Sequence, residues 1–152
     1  MQSFDTREVA VNPEIKSYSA MLARDTFLSR YRYLKLDGRV AEVTFGNERH
    51  LNQSFYTSRD WKLTRDEVIV RDQGRDLGHL DFPIMGLITV HHINPVTPQQ
   101  LIHGDPIIVD LENLICVSHN THNAIHYGDE SLLPQDFVER EPGDTLLWER
   151  KW

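Results

Sequence analysis

The chain has 152 residues, the length of one ordinary domain, with 39% apolar residues to build one sizeable core. Sixteen Lys and Arg against 23 Asp and Glu leave a net charge of −7, which by itself speaks against a nucleic-acid surface. The single cysteine, Cys116, excludes a disulfide framework and any zinc cage built from cysteines.

In chain order, residues 1–12 read as a loose polar leader without an apolar signal segment. Asn12-Pro13-Glu14 is a helix start. Ile15, Tyr18, Met21, Leu22 and Leu28 then recur at near-helical spacing and predict one helical arm reaching about Leu34. Leu36-Asp37-Gly38-Arg39 ends it, and Val40 to Phe45 alternates like a short strand. Ser58 is placed to cap a second helix with Trp61, Val68 and Ile69 on its inner face, stopping at Asp72-Gln73-Gly74.

The second half changes character. Ile84 to Ile93 is β-rich and apolar until Asn94-Pro95, and a long loop containing Pro98, Gly104 and Pro106 follows. Leu114 to Val117 predicts a second short strand, with Cys116 as a core residue. Ser118 to His126 predicts a short helix closed by Gly128. The remainder is an acidic tail whose Phe137, Leu146, Leu147 and Trp148 can clip it to the body. The uncharged stretch from Phe82 to Gly104 is no membrane span, because its apolar part ends at Val90, short of roughly 20 residues. The sequence reads as a soluble, cytoplasmic protein.

Charge and histidine are unevenly spread. Residues 1–75 hold 13 of the 16 bases against 11 acids, whereas residues 76–152 hold 3 bases against 12 acids. No Lys or Arg falls between Arg75 and Arg140, yet six of the eight histidines lie between His91 and His126. His122 and His126 are four apart, so on a helix they share a face and can address one ion. His91 and His92 are adjacent, so on a strand they point to opposite sides and cannot do the same job. One of them can join the helix pair, and three neutral imidazoles would leave open positions on a divalent ion.

The order strand–loop–strand–helix, with His91-His92, Asn113-Leu114-Ile115 and His122-Asn123-Ala124-Ile125-His126, resembles the HNH nuclease family. Asn113 stands nine positions before His122 and His122 four before His126, as the resemblance requires. Together with Thr44-Phe45-Gly46, Asn52-Gln53, Phe55-Tyr56 and Asn120-Thr121-His122-Asn123, the chain is most similar in look to HNH endonucleases encoded by tailed bacteriophages.

The resemblance implies an α+β fold: a ββα-metal (His-Me) finger preceded by an N-terminal helical arm. It divides the chain into leader, arm and short β segment (1–57), nuclease core (58–128) and an acidic tail packed on the core (129–152). It also implies His92 as general base, His91 and His122 as ligands of one divalent ion, and His126 as the third ligand or a donor to the phosphate. Mg²⁺ or Mn²⁺ comes first for that ion, with Zn²⁺ or Ni²⁺ as the other candidates. Asn113 is implied to pin the loop and orient His92, with Asn94 and Asn123 next in line for loop closure. The chain departs from many relatives where two Cys pairs would hold a structural zinc ribbon. The corresponding positions here are Arg75 or Asp76, Gly78, Ser118 and Thr121.

The implied partner is DNA, with phage packaging proteins as further partners and a monomer or homodimer as the acting unit. Arg59, Lys62, Arg65 and Arg71 are the first candidates to hold the DNA backbone, since they cluster on the second predicted helix. Asp60, Asp66, Glu67 and Asp72 interleave with them, which also suits a solvated face. Arg30, Arg32, Lys35 and Arg39 form a second patch. The competing function is a non-catalytic DNA-binding or genome-packaging accessory that keeps the finger as a scaffold.

Overall fold

The computed structural model describes residues 15–36 and 49–134. The helix start at Asn12-Pro13, Arg39, the alternating piece Val40–Phe45 and the tail aromatics lie outside the described residues. Within them the protein is mixed α and β, with one small antiparallel sheet, β1 (Thr89–His92) and β2 (Leu114–Val117).

The expected single arm is two helices, α1 (Tyr18–Leu22) and α2 (Phe27–Leu34). The break follows from local chemistry. Thr26 and Ser29 form a reciprocal capping box that starts a new helix and outcompetes continuation of the old one. Helices of five and eight residues are marginal alone, and burial holds them. Met21, Phe27, Tyr31 and Leu34 share one core with Leu77, Ile93, Ile115, Val117, Ala124 and Ile125. At roughly 1.5–3 kcal/mol per buried side chain, the arm is built into the body rather than hung on it.

Next comes α3 (Arg49–Tyr56), a helix the sequence reading lacks, and α4 (Arg59–Asp72) begins, as expected, at a Ser58 cap. Trp61 and Val68 of α4 form a second core with Val90, Leu114 and Cys116 on the opposite face of the sheet. The sheet is therefore covered on both sides. Of the predicted strand Ile84–Ile93 only Thr89–His92 pairs, because β2 offers just four partners: Thr89 faces Val117, Val90 Cys116, His91 Ile115 and His92 Leu114.

The expected long loop is instead compact. A Thr97–Gln100 capping box starts α5 (Pro98–His103), and two tight turns, Pro106–Val109 and Leu111–Asn113, lead into β2. After β2, Ser118 caps α6 (His119–Tyr127), which Gly128 closes in the left-handed region at φ +66°. A side chain at 128 would also place its Cβ 3.0 Å from the Leu36 carbonyl. Leu36 meanwhile donates its N–H to the Ile125 carbonyl, tying the end of the arm to α6.

The outer edge of β2 is closed by α4 and the turn after it. Asp72 accepts from the Cys116 N–H at 2.9 Å, Asp76 from the Ser118 N–H at 3.1 Å, and Arg71 donates to the Leu114 carbonyl at 2.6 Å. Cys116 is fully buried there, and burial first, then Asp72, pushes its thiol up to about 12.

Candidate metal centre

Alternation along β1 decides the site. His91 turns toward α6, where its ring meets those of His122 and His126; His92 turns toward α4, where it stacks on Trp61. The three histidines on the α6 side each offer a ring nitrogen, and these atoms all lie within 4.8 Å of one another. The Nε2 atoms of His122 and His126 are 3.0 Å apart. At about 2.0–2.1 Å per metal–nitrogen bond, two ligands of one ion stand about 3 Å apart, so this spacing suits a shared cation.

The buried state of His91 points the same way. Its Nε2 is the one buried side-chain nitrogen or oxygen among the described residues without a hydrogen-bond partner. Leaving such an atom unpaired costs about 1–3 kcal/mol, which a bound cation would offset. Burial holds His91 well below the usual imidazole value, with His126, His122 and His92 adding to it. Burial, then His126 and His119, pushes His122 down to about 4, and burial lowers His126 as well. All three rings are neutral at pH 7 and present lone pairs. His91, His122 and His126 can thus hold a metal ion, with His122 and His126 half-buried at the open side.

His92 sits in a different environment. It is 7% exposed, its ring stacks on Trp61 at 5.3 Å and 20°, and Phe55 and Tyr56 flank it. Its Nε2 lies 2.8 Å from the Ile108 carbonyl, which fixes the N–H there and leaves the lone pair on Nδ1. Burial lowers its pKa and the Ile108 bond partly restores it. The Phe55–Tyr56–Trp61 wall escaped sequence reasoning, although its three closely spaced aromatics were the available signal.

Asn113 is 3% exposed and does not touch the three-histidine cluster. Its Oδ1 accepts from both the N–H and the side-chain amide of Asn94 at 2.8 Å, and its Nδ2 donates to the Ile107 carbonyl at 3.2 Å. Asn94 also clasps Lys16, accepting from its N–H and donating to its carbonyl. Among the described residues Asn123 reaches His119 on its own helix, at 3.2 Å, and not the loop. His119 and His103 are exposed.

The four expected backbone-holding cations separate. Arg59 and Lys62 are exposed on the first turns of α4, beside Trp61. Arg65 is half-buried and donates to the Ile88 carbonyl at 2.9 Å. Arg71 leaves the set. It bonds both Asp72 oxygens, the Leu111 and Leu114 carbonyls, and lies 3.5 Å from the Tyr18 ring centroid, so its charge is engaged by the fold. The sequence spacing that grouped it with Arg59 says nothing of the β2 edge that claims it.

Three positions compared above with ribbon cysteines meet in one buried knot. Asp76 accepts from the Ser118 hydroxyl at 2.8 Å and the Thr121 hydroxyl at 2.6 Å, besides the Ser118 N–H. Burial raises the Asp76 pKa, and the Thr121 and Ser118 bonds oppose the rise. Comparison with known proteins gave no matching family model, no matching curated protein and no matching solved structure, so the family resemblance rests on the sequence motifs.

Proposed function

We propose that this protein is a metal-dependent endonuclease of the HNH type that hydrolyses DNA phosphodiester bonds, with β1, β2 and α6 as its ββα-metal finger. One observation carries the reading. Adjacent residues of a single strand supply His91 to a three-imidazole cluster with an unpartnered buried nitrogen, and His92 to a carbonyl clamp that presents a lone pair.

In this reading His92 takes a proton from water through Nδ1. The oxygen attacks phosphorus, the P–O3′ bond breaks, and the 3′-oxygen leaves and is protonated from solvent. A divalent ion held by His91, His122 and His126 would supply positive charge to the phosphate and the leaving oxygen. Asn113 positions rather than reacts. By holding the Ile107 carbonyl and Asn94 it steadies the turn whose next carbonyl, Ile108, orients His92. Among the described residues the donor set consists of imidazoles alone, which suits Ni²⁺ or Zn²⁺ better than the oxygen-seeking Mg²⁺ or Mn²⁺.

A second reading has its own support. The 7% exposure of His92 and its aromatic packing also suit a purely structural histidine, as in a DNA-binding or packaging accessory that retains the finger. One experiment separates the two. Supercoiled plasmid is incubated with the protein and each of the four metals, with and without EDTA, beside His92→Ala. Nicking or linearisation abolished by both EDTA and the substitution supports the nuclease. DNA binding without cleavage under any metal supports the accessory.

A further inference from the structure

Residues 76–134, which carry the three clustered histidines, contain no Lys or Arg, whereas the arm is rich in them. Between α1 and α2 lies a groove of about 640 Å³ whose lining, among the described residues, includes Lys16, Arg24, Arg32 and Tyr33 and no acidic side chain. Three cations converge here. The Arg24 guanidinium lies 4.3 Å from the Tyr33 ring centroid and the Lys16 ammonium 5.9 Å from it. Among the described residues the Lys16 ammonium otherwise meets only the Lys35 carbonyl, at 3.4 Å. Arg32 pairs with Glu130, but the two side chains are 61% and 43% exposed, so that pair exchanges readily for another anion. Thr26 adds a hydroxyl to the same lining, while that of Ser29 is engaged by the Thr26 carbonyl. Lys16 and Arg24 gather here with no carboxylate partner among the described residues, an arrangement that an anion from outside would stabilise.

The groove is also tethered to the candidate site. Asn94, two residues after His92, clasps the Lys16 backbone, and the Leu36 N–H bonds Ile125 beside His126. Both elements that carry the three histidines are thus bonded to the segments at either end of the groove.

We propose that this groove is a docking site for the phosphodiester backbone of DNA, holding phosphates that flank the bond presented to the metal centre. The inference deepens the nuclease reading and rests on it for the identity of the polyanion. It moves the main backbone contact from α4, where Arg71 and Arg65 are engaged with carbonyls, to the arm. Nucleic acid fits better than a free phosphate ion because the cations are spread along an open groove over a tyrosine ring instead of closing around one point.

The test uses the full chain and a short fluorescent duplex in EDTA, where no cleavage intervenes, with anisotropy read across a salt series. Lys16→Ala combined with Arg24→Ala is expected to weaken binding at least about tenfold and to lower the slope of log K against log salt by about two. Its melting point, followed by circular dichroism, checks that it folds; should it not fold, Arg24→Gln alone is measured, with a slope reduction of about one expected. Unchanged affinity and slope overturn the proposal, as does a wild type that fails to bind duplex at low salt. Inorganic phosphate at constant ionic strength is the second arm. Stabilisation of the wild type but not the variant by phosphate, with duplex binding unaltered, reassigns the groove to a free anion and overturns the proposal. Cleavage is scored separately. Lost binding in the variant with no cleavage by the wild type sinks the nuclease reading alone, and cleavage with normal variant binding sinks the groove alone.

Discussion

The two faces of β1 treat neighbouring histidines in opposite ways. On the α6 face, His91 is buried with a nitrogen left unpaired, beside two imidazoles whose low pKa values keep them neutral. On the α4 face, His92 is stacked, clamped and packed, and the nearby strand edge has its polar groups engaged by Arg71, Asp72 and Asp76. The difference teaches where this molecule stores stability and where it forgoes it. A buried polar atom without a partner is a net loss unless something outside the chain completes it.

The strongest way to break this contrast is to exchange the fates of the two rings. His92→Ala should lower the plasmid-cleavage rate about 10²–10⁴-fold while the rise in melting point on adding metal persists. His91→Leu should act on the other face and lose the thermal response to metal together with cleavage. It removes the metal-induced rise, which for a saturating ion is on the order of 2–4 kcal/mol, and it raises the melting point of the metal-free protein. A metal-free His91→Leu that melts lower than wild type would show that the unpaired nitrogen carries no penalty.

Next in size is the closed strand edge. Asp72→Ala deprives Arg71 and the Cys116 N–H of their partner at a fully buried side chain, and should cost about 3–5 kcal/mol in urea unfolding. Asp76→Ala leaves the Ser118 N–H and two hydroxyls short of an acceptor, for about 1–3 kcal/mol, whereas Asp76→Asn should recover most of the loss. Equal losses for Ala and Asn would mean that the negative charge, not the hydrogen-bond geometry, holds the knot.

The smallest effect is in pH. His122 titrates at about 4 in the fold and near 6.5 when unfolded, and His91 and His126 are shifted in the same direction. The unfolded chain therefore takes up protons first as pH falls. Stability of the metal-free protein is fully present above about 6.5 and is lost progressively toward 4. A melting point lower by on the order of 5 °C across that window is expected after allowance for the half-exposed rings. His122→Asn should flatten the profile, and an unaltered profile in that variant would place the proton uptake elsewhere.

How much of this was legible in the sequence depends on how local its cause is. The cap at Ser58, the stop at Gly128 and the strand Leu114–Val117 are set by residues within a few positions, and the structure has them where expected. The division of β1 into two histidine faces follows from strand alternation alone. The break at Thr26 and the helix at Pro98 were visible as Thr-x-x-Ser and Thr-x-x-Gln capping boxes, but apolar spacing and proline content masked them. The shortening of the first strand and the capture of Arg71 were not legible. Each depends on a partner 28 or 43 positions away, Val117 for Thr89 and Leu114 for Arg71. Helix spacing grouped four cations, and the tertiary fold drew two of them to backbone carbonyls.

The closed edge of β2 bears on whether the metal centre is portable. Each strand is only four residues long, and the outer backbone groups of β2 draw their partners from a helix some forty positions earlier in the chain. A fragment cut to the two strands and α6 would keep all three clustered histidines and lose the contacts that hold β2 in register. The centre cannot be excised as an autonomous peptide in the manner of a small zinc module, whose metal alone suffices to fold it. It belongs to a cooperative unit that includes α4, and grafting it onto another scaffold requires carrying Arg71, Asp72 and Asp76 along.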